Sequence, residues 1–141
     1  MSILNFKIDR IVTEKFKLKE IDSMEDLRFS LSFQFKLSIS ESVICCVSEF
    51  EYRSNDEPVM EISLDCYFRI VDNELDSMIE DNRVIIDAEN LQYLATIAVG
   101  IARGEIHARC EVANSPLQEV VLPQVNLTKI ITTPSDFLID S

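Results

Sequence analysis

The sequence contains only two glycines, four prolines and one histidine in 141 residues, and it has no tryptophan. A phosphate-binding loop needs several glycines to bring its backbone close to the ligand, so the low glycine content argues against a nucleotide site of that type. The G-x-S-x-G elbow of serine hydrolases and the H-E-x-x-H motif of zinc proteases are also missing. These absences predict a protein that is not an enzyme and needs no cofactor.

The four cysteines are Cys45, Cys46, Cys66 and Cys110, and none belongs to a C-x-x-C pair. The single histidine, His107, has no companion at ligand spacing, so no metal site is predicted. Free, buried thiols suit a reducing compartment and predict a cytoplasmic protein. The first ten residues carry charges and lack the apolar region of a signal peptide. Since no apolar run reaches the ~20 residues that cross a bilayer, no membrane insertion is expected.

Acidic residues outnumber basic ones by 25 to 13, which gives a net charge of −12. A chain this acidic is repelled by a phosphate backbone, so nucleic acid is not an expected partner. Pairs of carboxylates such as Glu49 and Glu51 share a strand face, where a solvated surface is more common than acid–base catalysis. Bases concentrate near the start of the chain, where they fit either the solvated face of a strand, which is the more common case, or a binding patch: Lys7, Arg10, Lys15, Lys17 and Lys19.

Alternation of apolar and polar residues dominates the first half of the chain. In residues 27–39 every odd position is apolar and every even position is polar, which is typical of a strand with one buried face. A second run covers residues 58–71, and a less regular one covers residues 42–53. The N-terminal stretch alternates with interruptions at Arg10 and Glu14, which predicts a long strand with an irregular middle or two short arms. Because the links are short and polar, the sequence predicts a four-stranded antiparallel meander.

The second half of the chain changes to helical spacing. Residues 72–82 are acidic and offer one helical turn or a packed loop. Asp87 is placed to cap a helix that starts at Ala88. Residues 91–102 are apolar except at three positions spaced by four. The following residues fit either a strand or a helix, and a helix that continues to Val112 is favoured.

The C-terminal part is predicted to be short and irregular. Residues 114–116, Asn-Ser-Pro, break the long helix. Thr133 and Pro134 predict a last helical turn that contains Phe137 and Leu138. The chain is therefore predicted to be a single α+β domain over residues 1–141, with one long helix packed on a four-stranded sheet.

The long helix is apolar around most of its circumference, whereas a helix that covers one sheet needs only one apolar stripe. A second subunit is the simplest cover for the remaining surface, so a homo-oligomer, a dimer or a tetramer, is predicted. Two glycines four residues apart lie on one helix face, where another helix could approach closely; the alternative is a loose helix end. The predicted oligomer contacts on this helix are Leu94, Ile97, Gly100, Ile101 and Gly104.

The order of elements and three short motifs resemble SecB-like chaperones. The motifs are NLQYL at residues 90–94, IARG at residues 101–104 and LPQVNL at residues 122–127. They are similar to the family's apolar helix with a late Arg-Gly and to its proline-containing tail. The 17 residues 105–121 between the last two motifs exceed the compact spacing of the export chaperone. This difference indicates a divergent branch and leaves the role in export open.

The resemblance implies an antiparallel sheet backed by the helix, and dimers or tetramers formed through the first strand and the helices. It also implies that unfolded or extended polypeptide binds in apolar surface grooves of the oligomer. The residues expected to line such a groove are Phe16, Tyr93, Leu117 and Phe137, although each also fits the core. Acidic residues expected to face a partner protein, or only to keep the sheet soluble, are Glu49, Glu51, Glu61 and Asp65.

Two functions from different classes are compatible with this sequence. The first is a chaperone that binds many unfolded chains. The second is a non-catalytic interaction protein of the same fold with one dedicated protein partner. A small-molecule pocket between helix and sheet is a third hypothesis, which requires a cavity of at least about 300 Å³.

Overall fold

The computed structural model describes residues 4–21, 24–71 and 74–139. It contains a four-stranded antiparallel sheet, a second sheet of two short strands and one long helix. The strands are β1 (Phe6–Leu18), β2 (Leu27–Ser38), β3 (Val43–Ser54), β4 (Glu57–Ile70), β5 (Arg83–Ile86) and β6 (Ser135–Leu138). The helices are α1 (Glu74–Met78), α2 (Ala88–Val112) and α3 (Leu127–Ile130), with a 3-10 turn at Pro116–Glu119. The predicted α+β class with one long helix is confirmed.

The order of strands in the large sheet is β1-β4-β3-β2. Strands β2, β3 and β4 form the predicted meander, but the prediction is wrong for β1, which pairs with β4 and not with β2. The link between β1 and β2 passes the end of the sheet and is held there. Lys19 N–H donates to the Val59 carbonyl at 2.9 Å, and Ser54 Oγ donates to the Glu25 carbonyl at 2.8 Å. The sheet therefore has two edge strands, β1 and β2.

The irregular middle predicted for β1 is confirmed as one long strand with two bulges. The pairing with β4 shifts by one residue between Ile8 and Arg10 and again between Thr13 and Lys15. Each shift leaves one extra residue, Asp9 or Glu14, outside the ladder. A bulge reverses which face the following residues occupy, and this is why the alternation of β1 is interrupted in the sequence.

One face of the large sheet, here called the inner face, is covered by α2 and by the chain after it. The even-numbered residues of β3 and β4 point inward and are almost completely buried. Burying each large apolar side chain contributes roughly 1.5–3 kcal/mol. The largest buried side chains of this core are Phe50, Tyr52, Met60, Ile62, Leu64, Phe68, Leu91 and Leu94.

The predicted limits of the long helix are confirmed. The Asp87 side chain accepts a hydrogen bond from the Asn90 backbone N–H at 2.9 Å and caps the start. The helix continues to Val112, so residues 103–112 are helical and not a strand. At the half-buried side of the helix the pair Glu105–Arg109 bridges one turn at 2.9 Å, and Arg103, Gly104, His107 and Ala108 are exposed to solvent. Charged residues that alternate with apolar ones are thus explained by a helix with one solvated face.

The predicted last helical turn is wrong, because Phe137 and Leu138 belong to strand β6. This strand pairs with β5 through Val84 and Phe137 and through Arg83 and Leu138. Val84 and Ile86 point into the core and fix the small sheet against it. The helical turn expected within residues 72–82 is present as α1; Asp72 and Asn73 lie outside the described residues. Within the described residues, no helix has the length and apolar character that a membrane span requires.

Candidate polypeptide-binding and subunit-contact surfaces

An open apolar surface lies between edge strand β1 and the flank of α2 that faces it. The pairing of Ile8 with Phe68 and of Ile11 with Cys66 places both isoleucine side chains on the inner face. They remain 48% and 42% exposed, although inner-face residues of β3 and β4 are buried. Tyr93 of α2 stacks on Phe6 with a ring separation of 6.3 Å and is 44% exposed. Here this region is called the β1–α2 surface: Ile8, Ile11, Phe16, Tyr93, Ile97 and Ile101.

The helix contributes part of this surface because of its periodicity. Ile97 and Ile101 follow Tyr93 at intervals of four residues, so they lie on the same flank and are half-buried. Gly100 and Gly104 are exposed, and a Cβ atom added to either would meet no atom within 4 Å. Leu94 has no exposed surface. Of the five predicted oligomer contacts on the helix, four are therefore accessible and Leu94 is a core residue.

The four residues predicted to line a peptide groove do not come together. Phe16 and Tyr93 both lie on the β1–α2 surface, where the Arg109 guanidinium stands 5.2 Å from the Phe16 ring. Leu117 is 1% exposed and packs in the core, so it is not available to a ligand of this chain. Phe137 is half-buried on β6 and contacts the core from the other side of the molecule.

The second edge strand, β2, carries a continuous apolar row that the prediction of binding residues did not include. Every second residue is apolar and half-buried, while its partners on β3 are buried. No described strand pairs with the outer edge of β2. The strict alternation in residues 27–39 was the available signal, but it does not reveal that β2 is an edge strand. The row consists of Leu27, Phe29, Leu31, Phe33, Phe35 and Leu37.

The backbone N–H and C=O groups of this row are directed away from β3, toward the free edge of the sheet. Ile70 N–H donates to the Ser42 carbonyl at 2.8 Å, which shows that even-numbered residues of β3 bond to β4. Because the bonding side alternates along an antiparallel strand, the odd-numbered residues of β3 bond to β2. They pair with the even-numbered residues of β2, for example Val47 with Gln34. The N–H and C=O groups of the apolar row are therefore directed to the free edge.

The C-terminal segment covers the opposite flank of α2 and part of the β2 row. Gln92 Nε2 donates to the Ile131 carbonyl at 2.8 Å, and Arg103 donates to the Pro123 carbonyl at 3.3 Å. Leu117, Leu122 and Leu127 of the segment are buried against the core. Much of the apolar circumference of α2 is thus covered by the chain itself, and only the flank toward β1 stays open.

The outer face of the large sheet carries the four acidic residues predicted to face a partner. Glu51 stands directly opposite Glu61, Glu49 is opposite Ser63, and Asp65 is opposite Val47. Two of these charges have partners on the same face. Arg53 bonds to Glu51, and Lys15 Nζ lies 3.5 Å from Glu61. Desolvation, together with the nearby carboxylate of Glu14, raises the pKa of Asp65.

The thiols are in positions that suppress their reactivity. Cys46 and Cys66 pair across β3 and β4 and have no exposed surface. Burial raises the pKa of Cys45 and Cys66 to about 11, and it raises the pKa of Cys46 and Cys110 as well. Nucleophilic cysteines have a lowered pKa, so these thiols do not fit that role.

In the described part of the chain, the neighbours of His107 form no catalytic or metal-binding group. His107 is exposed, with Nδ1 3.0 Å from the Gln118 carbonyl and Nε2 3.2 Å from the Glu111 carboxylate. Cys110 is buried in the core on another side of the helix. Among the described residues, no group of three His, Cys, Asp or Glu side chains is placed to hold a metal ion.

Comparison with known structures identifies the fold. The chain is similar to a SecB-like chaperone from Mycobacterium tuberculosis, solved in complex with a ChAD peptide from the HigA1 antitoxin. The two share 10% identity with a TM-score of 0.52, over 86% of this chain and 91% of the other. A protein of unknown function from Streptococcus agalactiae matches over 89% of this chain and 100% of its own, with 10% identity and a TM-score of 0.39. Neither a protein-family model nor a curated protein sequence matches. This chain therefore has a SecB-like fold.

Proposed function

We propose that this protein is a non-catalytic chaperone that binds unfolded or extended polypeptide and acts as a homo-oligomer. The observation that carries the proposal is the open edge of β2, where outward backbone groups accompany a half-buried apolar row. An extended peptide can add to such an edge as a further strand, and alternate side chains then enter apolar positions. The likeness in fold to a chaperone solved with a bound peptide supports this function.

The two edges of the sheet have different roles in this proposal. The β2 edge binds polypeptide, and its phenylalanines provide apolar contacts that do not depend on the client's sequence. The β1–α2 surface is covered by a second copy of the chain, because Ile8, Ile11 and Tyr93 are 42–48% exposed on one apolar surface, and contiguous exposed apolar side chains mark interaction sites. Gly100 and Gly104 leave room for the partner's helix to approach.

Phe16 and Tyr93, which were predicted to bind peptide, are assigned to the subunit contact instead. Phe137 is left as a residue that supports β6, and Leu117 as a core residue. The acidic residues Glu49 and Asp65 on the outer face are proposed as contacts for a basic partner protein, such as a component that receives the client. We place the protein in the cytoplasm, where free thiols stay reduced.

An interaction protein with one dedicated partner is the second candidate. It is favoured by one observation, that the similar SecB-like chaperone was solved with a peptide from a single antitoxin. In that case the β2 edge holds one specific segment. The number of clients distinguishes the two functions. A chaperone suppresses the aggregation of several unrelated denatured proteins, and a dedicated binder suppresses none of them.

The β2 edge is tested by comparing Leu31→Pro with Leu31→Ala in an assay of the aggregation of a denatured client. Both variants lose the leucine side chain, which costs about 1–3 kcal/mol of stability at this half-buried position. Only proline also removes an N–H that points to the free edge, and an edge strand tolerates this change because the ladder to β3 is not interrupted.

We expect wild type and Leu31→Ala to suppress aggregation and Leu31→Pro to be several-fold less effective. Circular dichroism and thermal unfolding verify that both variants are folded. Equal activity of two folded variants would exclude strand addition at β2, and inactivity of the wild type toward every client would reject the chaperone function.

A further inference from the structure

A second, smaller apolar patch lies on the two-stranded sheet, whose strand β6 contacts edge strand β2 of the large sheet. Ile85 and Leu138 point outward from β5 and β6, because their neighbours Val84 and Ile86 point into the core. Ile85 is 52% exposed and Leu138 is 70% exposed, and Ile79 beyond α1 is 37% exposed. These three residues are here called the small-sheet patch. The proposed function does not use them.

The patch borders an open strand edge. Ile139 N–H donates to the Asn82 carbonyl at 2.8 Å, so even-numbered residues of β5 bond to β6 and odd-numbered ones are directed away. Arg83 uses its outward groups in two 3.0 Å hydrogen bonds with the backbone of Glu80. The next outward residue is Ile85. It borders a hollow of about 390 Å³ between β5 and the end of α1, where Ser77 and Met78 form the other wall.

Acidic side chains form the rim of this hollow. Glu80 and Asp81 line it, and Asp76 of α1 is exposed nearby. The one base at the rim, Arg83, is paired with Asp136 at 3.4 Å. Within residues 4–21, 24–71 and 74–139, no ion pair involves Asp76, Glu80 or Asp81. The rim therefore carries uncompensated negative charge beside an apolar patch.

We propose that the open edge of β5 docks an extended segment of a partner protein in which basic and aliphatic residues alternate. The aliphatic side chains contact Ile85, the backbone bonds to the outward groups of Ile85, and the bases pair with Glu80 and Asp81. Charge complementarity selects this occupant. A second copy of the chain would bring the same acids together, and three side chains are far below the roughly 800 Å² per partner of a stable interface. This site does not depend on the β2 edge.

The test uses a short synthetic peptide that alternates lysine and valine, and a control peptide with glutamate in place of lysine. Two-dimensional ¹H–¹⁵N NMR of the full chain locates binding. We expect the lysine peptide to shift the amide signals of residues 77–81 and 83–86, and the glutamate peptide to leave them unchanged. Signals of residues 27–37 report separately on the β2 edge, so failure at one site is not confused with failure at the other.

Variants then test the two parts of the site. The double substitution Glu80→Gln and Asp81→Asn removes two charges and places at position 81 an asparagine, which tolerates the backbone φ of 52° there. This variant is expected to bind the lysine peptide with about three- to tenfold lower affinity, since each exposed ion pair contributes modestly to binding. Glu57→Gln with Glu119→Gln removes two exposed charges elsewhere and is expected to have no effect. Ile85→Thr keeps the strand and should abolish binding.

Three results would overturn the proposal. The first is the absence of shifts at residues 83–86. The second is equal binding of the lysine and glutamate peptides, which would mean that the acidic rim does not select the occupant. The third is a shift of the same signals with protein concentration alone, which would assign the edge to a second copy of the chain.

Discussion

Substitution of Ile11 by lysine should separate the subunits without unfolding them. Ile11 lies at the centre of the β1–α2 surface on an edge strand, and 42% of it is exposed in the isolated chain. A lysine there can lay its methylene groups along the strand and place its charge in water, so the fold of one chain is little affected. In an oligomer joined through this surface, the same ammonium group would be buried without a partner.

The magnitude follows from the exposed fraction. Full burial of an isoleucine contributes about 1.5–3 kcal/mol, so the exposed 42% of Ile11 contributes about 0.6–1.3 kcal/mol for each copy. A symmetric dimer buries the residue twice, so the substitution removes about 1.3–2.5 kcal/mol of association free energy and raises the dissociation constant about 8- to 60-fold. Burial of the lysine charge adds to this loss, so the estimate is a lower limit.

The matched control is Val12→Lys, on the next residue of the same strand. Val12 pairs with Asp65 and points to the outer face, where a lysine meets acidic neighbours and no subunit contact. Light scattering coupled to size-exclusion chromatography should find an oligomer for the wild type and Val12→Lys, and monomers for Ile11→Lys at the same concentration. A monomeric wild type, or an equal effect of the two lysines, would refute the assignment of this surface.

Two further predictions concern stability. The Tyr52 hydroxyl is buried without a hydrogen-bond partner among the described residues, and burial raises its pKa to about 12. Tyr52→Phe should therefore leave the free energy of unfolding, measured by urea titration, unchanged or raise it by up to about 1 kcal/mol. A clear loss of stability would show that the hydroxyl has a hydrogen-bond partner in the folded protein. Folding raises the pKa of Asp65, chiefly through desolvation, so the folded state disfavours the charged form of this carboxyl. The resulting loss of stability is present at neutral pH and disappears below the pKa of 3.8 in the unfolded chain. Asp65→Asn should accordingly stabilise the protein at pH 7 and not at pH 3, and an equal gain at both pH values would contradict the argument.

The elements were predictable where one local pattern decides the outcome. Strand β2 has strict alternation over twelve residues, and α2 has a capping Asp87 and a long apolar stretch, so both were predicted with correct limits. The position of β1 next to β4 was not predictable, because the order of strands depends on the path of the β1–β2 link past the end of the sheet. Strand β6 was missed for a related reason, since four residues form a strand only beside β5, about fifty positions earlier in the chain.

The candidate sites were predictable only in part. The acids share one face because odd-numbered residues of both β3 and β4 point to the outer face. The register places Glu51 directly opposite Glu61, as this alternation requires. Exposure could not be predicted from residue type. Leu117 and Leu37 are both leucines followed by a polar residue, yet Leu117 is buried in the core, while Leu37 on an edge strand is half-buried. Which strand lies at the edge is a property of the whole sheet.

The two edges of the sheet differ in how the chain itself covers them, and this difference decides their roles. On β1, two bulges interrupt the edge, but Ile8 and Ile11 stay open although α2 passes beside them. Exposed apolar side chains on an edge strand promote aggregation unless another chain covers them. On β2, the C-terminal segment already covers part of the apolar row, and every member of the row is half-buried. A partial cover formed by a segment outside the sheet suits contacts that are made and released. Subunit contact at β1 and reversible polypeptide binding at β2 therefore follow from the same sheet order, which leaves β3 and β4 in the middle.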